Sequence, residues 1–165
     1  MGNYIDLSSY KAAFIDFDDT LYTHLDHGKW DDWFMNCLNG SAASYLEASH
    51  GCAGVGMKEF VDRLNLVGVH TFCITTMNSS IVVIPKQKWC DETFGKGKIQ
   101  QVIGVKDDAY KIQFALEYGY RMGITNDKIL ICDNSVKVCE LAEDNGLKWM
   151  TPQEVAVTLA NGGYK

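Results

Sequence analysis

The chain has 165 residues, of which 47% are apolar and 22% charged, and its formal net charge is −6. This length suits one domain with a proper hydrophobic core, and the composition is ordinary for a soluble globular protein. The acidic balance argues against general nucleic-acid binding, because binding a phosphate backbone needs clustered Lys and Arg side chains.

No segment of the sequence predicts a membrane location. No run approaches the ~20 apolar residues of a membrane span, and residues 1–11 lack the apolar core of a signal peptide. The six cysteines include no Cys-x-x-Cys pair, so neither a zinc knuckle nor a thioredoxin-like site is indicated. We therefore expect a cytoplasmic protein in a reducing compartment, without disulfides and with buried thiols at Cys73 and Cys132.

Short apolar segments alternate with helical patterns along the first part of the chain. A buried strand is predicted over residues 12–17, a helix over 57–67 and a second strand over 69–75. Residues 79–94 have a helical pattern in which Pro85 is a candidate start of a second segment.

The same alternation continues in the second part of the chain. Strands are predicted over 99–105, 128–132 and 147–150. Between them, one helix is predicted from Asp107 or Asp108 through Tyr118, with Gly119 as its end. A second helix is capped by Ser135 and ends at Asn145-Gly146. Thr151-Pro152-Gln153-Glu154 has the pattern of a capping box, which predicts the start of a final helix.

Strands separated by helices predict parallel βαβ units. We expect an α/β fold, a five-stranded doubly wound parallel sheet of the Rossmann-like kind, in a single domain over residues 1–165. Ligands of such folds bind at the carboxyl ends of the strands. Residues 22–56 form a longer connection than the usual strand-to-helix loop, and we interpret them as a flap or mini-cap inserted after the first strand.

The predicted flap contains several histidine and aromatic side chains. His24 and His27 are three residues apart, but no further ligands follow at a clear spacing, so a solvated flap is favoured over a metal site. Trp30, Trp33 and Phe34 have the spacing of one helical face, and packing in a small flap helix is favoured over a base-stacking platform.

Two carboxylates lie at the exit of the first strand. Asp16 and Asp18 are two residues apart on an extended chain, so their side chains point the same way. Like charges this close repel unless a cation or a shared proton relieves them, and carboxylate oxygens suit Mg²⁺. An Asp beside such a cation can attack phosphorus, and a second Asp can transfer the leaving-group proton.

Other polar residues lie at the ends of later strands. The hydroxyl and backbone N–H groups of Thr75 and Thr76 would hold phosphate oxygens. Lys111 would offset the charge of the nucleophile and the phosphate. Asp133 would face Asp16 and supply a third oxygen ligand if their strands are neighbours.

In this order, the residues resemble the motifs of the haloacid dehalogenase-like (HAD) phosphohydrolase superfamily over about residues 12–150. The residues that carry the resemblance are Asp16, Asp18, Thr20, Thr75, Lys111 and Asp133. The resemblance implies that Asp19 and Thr20 shape the turn after the first strand.

The resemblance also implies a role for each site residue. Asp16 would be the nucleophile and a Mg²⁺ ligand, and Asp18 the general acid/base, whose backbone carbonyl also binds the metal. Thr75 would bind the transferring phosphoryl group, Lys111 would steady it, and Asp133 would complete the metal site.

The sequence departs from the family pattern at the fourth motif. The family usually has a second acid there, adjacent or a few residues on, whereas this chain has Asn134, which can offer a carbonyl oxygen directly or through water. The lost charge predicts weaker metal affinity. Two alternatives also stay open: Thr76 in place of Thr75, and Lys106 in place of Lys111.

We therefore expect a Mg²⁺-dependent phosphomonoester hydrolase that acts through an aspartyl-phosphate on Asp16. A full helical cap does not fit in residues 22–56, and the resemblance then implies an open site, able to accept large substrates or to be covered by a partner subunit. The expected partner is a phosphorylated small molecule or a phosphorylated macromolecule.

Two other functions are less favoured. A catalytically weak or inactive phosphate-binding module is suggested by Asn134, although the Asp16 and Asp18 pair argues against it. A receiver domain has similar residue types, but its phosphoacceptor follows the third strand, where this chain has Val105-Lys106-Asp107-Asp108, and its lysine comes late in the chain.

Overall fold

The computed structural model describes residues 5–25, 51–76 and 80–163, with backbone only at positions 80 and 81. The strands are β1 (Ala12–Asp16), β2 (Tyr22–Thr23), β3 (Cys52–Ala53), β4 (His70–Thr75), β5 (Val102–Gly104), β6 (Ile129–Cys132) and β7 (Lys148–Met150). The α-helices are α1 (Met57–Leu66), α2 (Ser80–Phe94), α3 (Asp108–Met122), α4 (Val136–Asp144) and α5 (Pro152–Ala160). Short 3-10 helices cover Leu7–Ser9 and Asn126–Lys128.

Five of the strands form one parallel sheet in the order β5-β4-β1-β6-β7. The central strand, β1, is buried at all five positions and pairs with both β4 and β6. In this register Phe14 lies opposite Phe72 on one side and Ile131 on the other. The predicted five-stranded parallel α/β fold is confirmed.

Alternate side chains of β1 enter two separate cores, one on each face of the sheet. Ala13 and Ile15 pack with apolar side chains of α1, α2 and α5, whereas Ala12 and Phe14 pack with those of α3 and α4. Because successive side chains of a strand point to opposite faces, a strand that is apolar throughout requires helices on both sides. The sheet is therefore doubly wound.

The third helix is longer than the sequence predicted. It continues through Gly119 to Met122, and its C-cap is Gly123, in the left-handed region with φ of 66°. Gly119 faces the sheet instead, where an added Cβ would lie 2.6 Å from the Ile129 side chain. The glycine that resembled a helix stop is thus required by close packing, and Gly123 supplies the actual stop.

Two further expectations about local structure need correction. The strand predicted over 99–105 is limited to Val102–Gly104, which within the described residues is an edge strand that pairs with the last three residues of β4. Helix α2 is continuous through Pro85, and no second segment starts there. The side chains of Val82, Cys90 and Phe94 are buried along this helix, so its packing outweighs the local helix-breaking preference of proline.

Other local predictions are confirmed. Thr151 and Glu154 form the predicted capping box at the start of α5, with both reciprocal hydrogen bonds present. The thiols of Cys73 and Cys132 are fully buried. Within the described ranges, no helix is long and apolar enough to cross a membrane.

The base of the predicted flap is a two-stranded antiparallel sheet. Strands β2 and β3 pair Tyr22 with Ala53, and the Gly51 N–H donates to the Tyr22 hydroxyl over 2.8 Å. At Gly54 an added Cβ would lie 2.2 Å from the backbone oxygen of Thr20, so this pair of strands lies directly on the turn after β1. The expectations for His27, Trp30, Trp33 and Phe34 fall outside the described residues.

Candidate active site

The first carboxylates of the site are held by a tight turn after β1. Asp16 is the last residue of β1 and is buried. The Leu21 and Tyr22 N–H groups donate to the backbone oxygens of Asp16 and Phe17. Asp19 has φ of 58°, a conformation that Asp tolerates better than most residues. The turn therefore fixes the position of Asp16 at the carboxyl edge of the sheet.

Lys111 brings the carboxylates of two neighbouring strands together. It lies in the first turn of α3, and its side chain is almost completely buried. Its Nζ donates to Asp16 Oδ1 over 2.8 Å and to Asp133 Oδ2 over 2.7 Å. Because β1 and β6 are adjacent, Asp16 and Asp133 leave the sheet side by side, as the sequence argument required. A third carboxylate, Asp108, lies 3.9 Å from the same ammonium group.

Burial and the charge of the oppositely charged partner act in opposite directions on the pKa values of Asp16 and Lys111. Burial raises the pKa of Asp16 to about 7, helped by the charges of Asp133 and Asp18 and opposed by Lys111. For Lys111, burial by itself would lower the pKa, but the carboxylates of Asp16 and Asp133 outweigh burial and raise it above its ordinary value. The lysine therefore stays charged between the two aspartates.

The second carboxylate, Asp18, is held by two basic side chains. His24 Nε2 lies 2.8 Å from Asp18 Oδ1, and Lys86 Nζ donates to Asp18 Oδ2 over 2.7 Å. Burial alone would raise the pKa of Asp18, but Lys86 and the hydrogen bonds from His24 and Lys86 hold it well below its usual range. Asp18 is therefore ionised in this arrangement.

The structure also places the residues that the sequence left as alternatives. The Thr75 hydroxyl is buried and accepts a hydrogen bond from Lys86 Nζ over 2.9 Å, whereas Thr76 is half-buried and follows the end of β4. Lys106 lies over the ring of Tyr110, with its Nζ 4.2 Å from the ring centroid, and does not join the carboxylates. Thr75 and Lys111 thus lie in the cluster.

The oxygen atoms around Asp16 suit a hard divalent cation. Thr20 Oγ1 lies 3.4 Å from Asp16 Oδ2 and 3.5 Å from Asn134 Oδ1, so these oxygens face the same small space. Carboxylate and amide oxygens are ligands of the kind that Mg²⁺ prefers. Among the residues that the structure describes, no three His, Cys, Asp or Glu side chains form a metal-binding group. A Mg²⁺ site here would use Asp16, Asp133 and Asn134, to which the family resemblance adds the backbone carbonyl of Asp18.

Sequence reasoning missed two members of the site, Lys86 and His24. His24 was expected on a solvated flap, but it is only 2% exposed, because the β2–β3 strand pair packs against the turn after β1. Lys86 is fully buried and lies on the stripe of α2 that also carries Val82 and Cys90. A lysine at the core-facing spacing of a helix is the signal that would have identified it.

Comparison with known proteins supports the architecture around this site. No protein-family model matches the sequence, and no curated protein matches it. A haloacid dehalogenase-like hydrolase from Bacteroides fragilis is similar in structure, with a TM-score of 0.62 and 13% identity over 85% of this chain and 86% of that one. The chain has the HAD-like fold.

Two further similar structures contain bound ligands or an analogue of a covalent intermediate. A HAD-family enzyme from Bacteroides thetaiotaomicron, in complex with magnesium and inorganic phosphate, has a TM-score of 0.55 and 13% identity over 86% of this chain and 93% of that one. A phospho-aspartyl intermediate analogue of phosphoserine phosphatase has a TM-score of 0.56 and 12% identity over 84% of this chain and 85% of that one. At these identities the likeness concerns the fold.

Proposed function

We propose that the chain is a Mg²⁺-dependent phosphomonoester hydrolase of the HAD superfamily that acts through an aspartyl-phosphate on Asp16. One observation carries the proposal: Lys111 lies between Asp16 and Asp133 at the carboxyl edge of the sheet, with Asp18 two residues further along the chain. The HAD-like fold and the magnesium and phosphate bound by one structural neighbour support it.

In the first step, an Asp16 oxygen attacks phosphorus, and the bond from phosphorus to the leaving oxygen breaks. Lys111 balances the negative charge of Asp16 and the phosphoryl group, and the Thr75 hydroxyl donates to a phosphoryl oxygen. Mg²⁺, held by Asp16, Asp133, Asn134 and the Asp18 carbonyl, would supply charge neutralisation at the phosphoryl oxygens.

In the second step, water attacks the phosphorus of the aspartyl-phosphate and releases Asp16 and inorganic phosphate. Asp18, ionised by its contacts with Lys86 and His24, takes the proton of that water. The protonated Asp18 then has a proton to give to the leaving oxygen of the next substrate, which departs as an alcohol. The substrate is a phosphorylated small molecule or a phosphorylated macromolecule.

The test is phosphate release from p-nitrophenyl phosphate, with Mg²⁺ and with a chelator. Wild type and the matched exposed-site control Asp144→Asn should turn over with Mg²⁺, whereas Asp16→Asn should be inactive. Borohydride reduction during turnover should convert Asp16 to homoserine in the peptide mass spectrum. Turnover that survives the chelator or Asp16→Asn would contradict the proposal.

A phosphate-binding module without turnover is the second candidate, and Asn134 favours it. The side chains proposed for the cation site are two carboxylates, Asp16 and Asp133, and the amide of Asn134. The site therefore carries one negative charge less than it would with an acid in place of Asn134. This candidate predicts calorimetric binding of inorganic phosphate in the presence of Mg²⁺ but no phosphate release from any ester in a substrate screen.

A further inference from the structure

Lys86 lies in the middle of α2, and its side chain is completely buried. Its Nζ donates one hydrogen bond to Asp18 Oδ2 over 2.7 Å and another to Thr75 Oγ1 over 2.9 Å. A single ammonium group therefore joins the second carboxylate of the site to the hydroxyl at the end of β4.

Aromatic rings form another side of this environment. Lys86 Nζ lies 4.5 Å from the centroid of the Phe17 ring, and Trp89 packs edge-on against that ring at 5.4 Å. A buried ammonium group is costly unless it is paired and hydrogen-bonded, and a ring face adds a favourable contact. Lys86 is stable here because Asp18 and Thr75 accept its hydrogen bonds, so the three side chains depend on one another for their placement.

The other oxygen of Asp18 is held from a different part of the chain. His24, which follows β2, contacts Oδ1, while Lys86 of α2 contacts Oδ2. Two partners from different parts of the chain therefore fix both the position and the plane of this carboxylate. Of these two described partners of Asp18, Lys86 also contacts Thr75, so it relates the carboxylate to the proposed phosphoryl-binding hydroxyl.

We propose that Lys86 is a positioning residue that fixes the Asp18 carboxylate relative to the Thr75 hydroxyl. The inference rests on the proposed phosphatase function, in which Asp18 transfers the proton and Thr75 binds the phosphoryl group. Because Lys86 is fully buried, it acts through these two side chains and does not contact substrate. The steps of hydrolysis set out above do not use it directly.

This role predicts a dependence on the leaving group. An alkoxide leaves slowly unless it is protonated, so hydrolysis of an alkyl phosphate depends on a correctly placed Asp18. p-Nitrophenolate leaves readily without a proton, so an aryl phosphate depends on Asp18 far less. A lysine that merely stabilised the fold would affect the two substrates equally.

The experiment compares Lys86→Met with Lys88→Met, a variant two residues along the same helix whose side chain is exposed. We expect Lys86→Met to lower kcat/KM for glycerol 2-phosphate by about 100-fold or more, and for p-nitrophenyl phosphate by less than about tenfold. Lys88→Met should match wild type with both substrates. Equal losses with both substrates, or no loss, would overturn the inference while leaving the phosphatase function intact.

A second measurement does not depend on turnover. In ¹H–¹⁵N spectra of the lysine ammonium groups, the Lys86 signal is identified by its loss in Lys86→Met. That signal should shift in Asp18→Asn and in Thr75→Val, and remain unchanged in Asp144→Asn. If wild type releases no phosphate, the proposed function fails, but this spectrum still decides whether Lys86 couples Asp18 to Thr75. A Lys86 signal that shifts with neither substitution would refute the coupling.

Discussion

Lys111 and Asp16 form a buried ion pair, with 2.8 Å between Nζ and Oδ1, that joins the first turn of α3 to the end of β1. The same ammonium group reaches Asp133 of the neighbouring strand. The positive charge of Lys111 therefore stabilises two buried carboxylates that would otherwise repel each other.

Replacing Lys111 by Met should lower kcat/KM by about 100- to 1,000-fold, the usual effect of losing a buried charge that stabilises a transition state. Lys106→Met is the matched control, because Lys106 is the other lysine near the start of α3 and lies on the Tyr110 ring. Its activity should match wild type. Circular dichroism of both variants separates lost catalysis from lost folding, and a stronger loss in Lys106→Met would assign the role to that lysine.

Asn134→Asp should tighten Mg²⁺ binding by about tenfold, because ligand charge sets the affinity of a hard-cation site. Isothermal titration with Mg²⁺ measures the change directly. Asn126→Asp adds the same charge at a position bonded to the Asn145 backbone, away from the carboxylate cluster, and should leave the affinity unchanged. Equal effects of the two substitutions would mean that net charge, and not a ligand at position 134, controls binding.

In the metal-free protein, stability should depend on the ionisation of Asp16. Its pKa is about 7 when folded, against 3.8 for an ordinary Asp, so folding favours the neutral carboxyl. The stability that this group contributes is complete below pH 3.8 and is lost as the pH rises through about 7. Urea unfolding between those limits should show a falling free energy of unfolding for wild type and a flatter profile for Asp16→Asn.

Saturating Mg²⁺ should remove this loss in wild type, because a bound cation favours the ionised carboxylate. Parallel profiles for wild type and Asp16→Asn without metal would show that Asp16 is not the group responsible.

Gly119→Ala should destabilise the chain by about 1–3 kcal/mol through overpacking, although Ala is normally favoured in a helix. The added Cβ would meet Ile129 Cδ1 at 2.6 Å and the Ile124 backbone oxygen at 3.0 Å. Gln113→Ala, at an exposed position of the same helix, should change stability by less than about 0.5 kcal/mol. Thermal or urea unfolding measures both, and a stabilised Gly119→Ala would mean that α3 moves away from β6 easily.

The fold was predictable because the pattern of buried strands and amphipathic helices is local. The end of α3 was not, since the role of Gly119 depends on Ile129, a contact that no local pattern reveals. Asp16, Asp18 and Asp133 were identifiable by their positions at the carboxyl ends of strands. Lys86 was missed because its partners Asp18 and Thr75 become its neighbours only when α2 folds back over the turn after β1.

The ion pairs of the site join residues that are far apart in the chain. The sequence separation is 95 residues for Asp16 and Lys111 and 68 residues for Asp18 and Lys86. Contacts of such separation form only after long loops have closed, which makes them late events in folding. A partly folded chain that holds only short-range pairings, such as β6 with β7, would therefore lack the assembled site. A ligand that engages Lys111 or the carboxylates binds the completed chain alone, and by mass action it would protect the protein against partial unfolding and against the proteases that act on opened states.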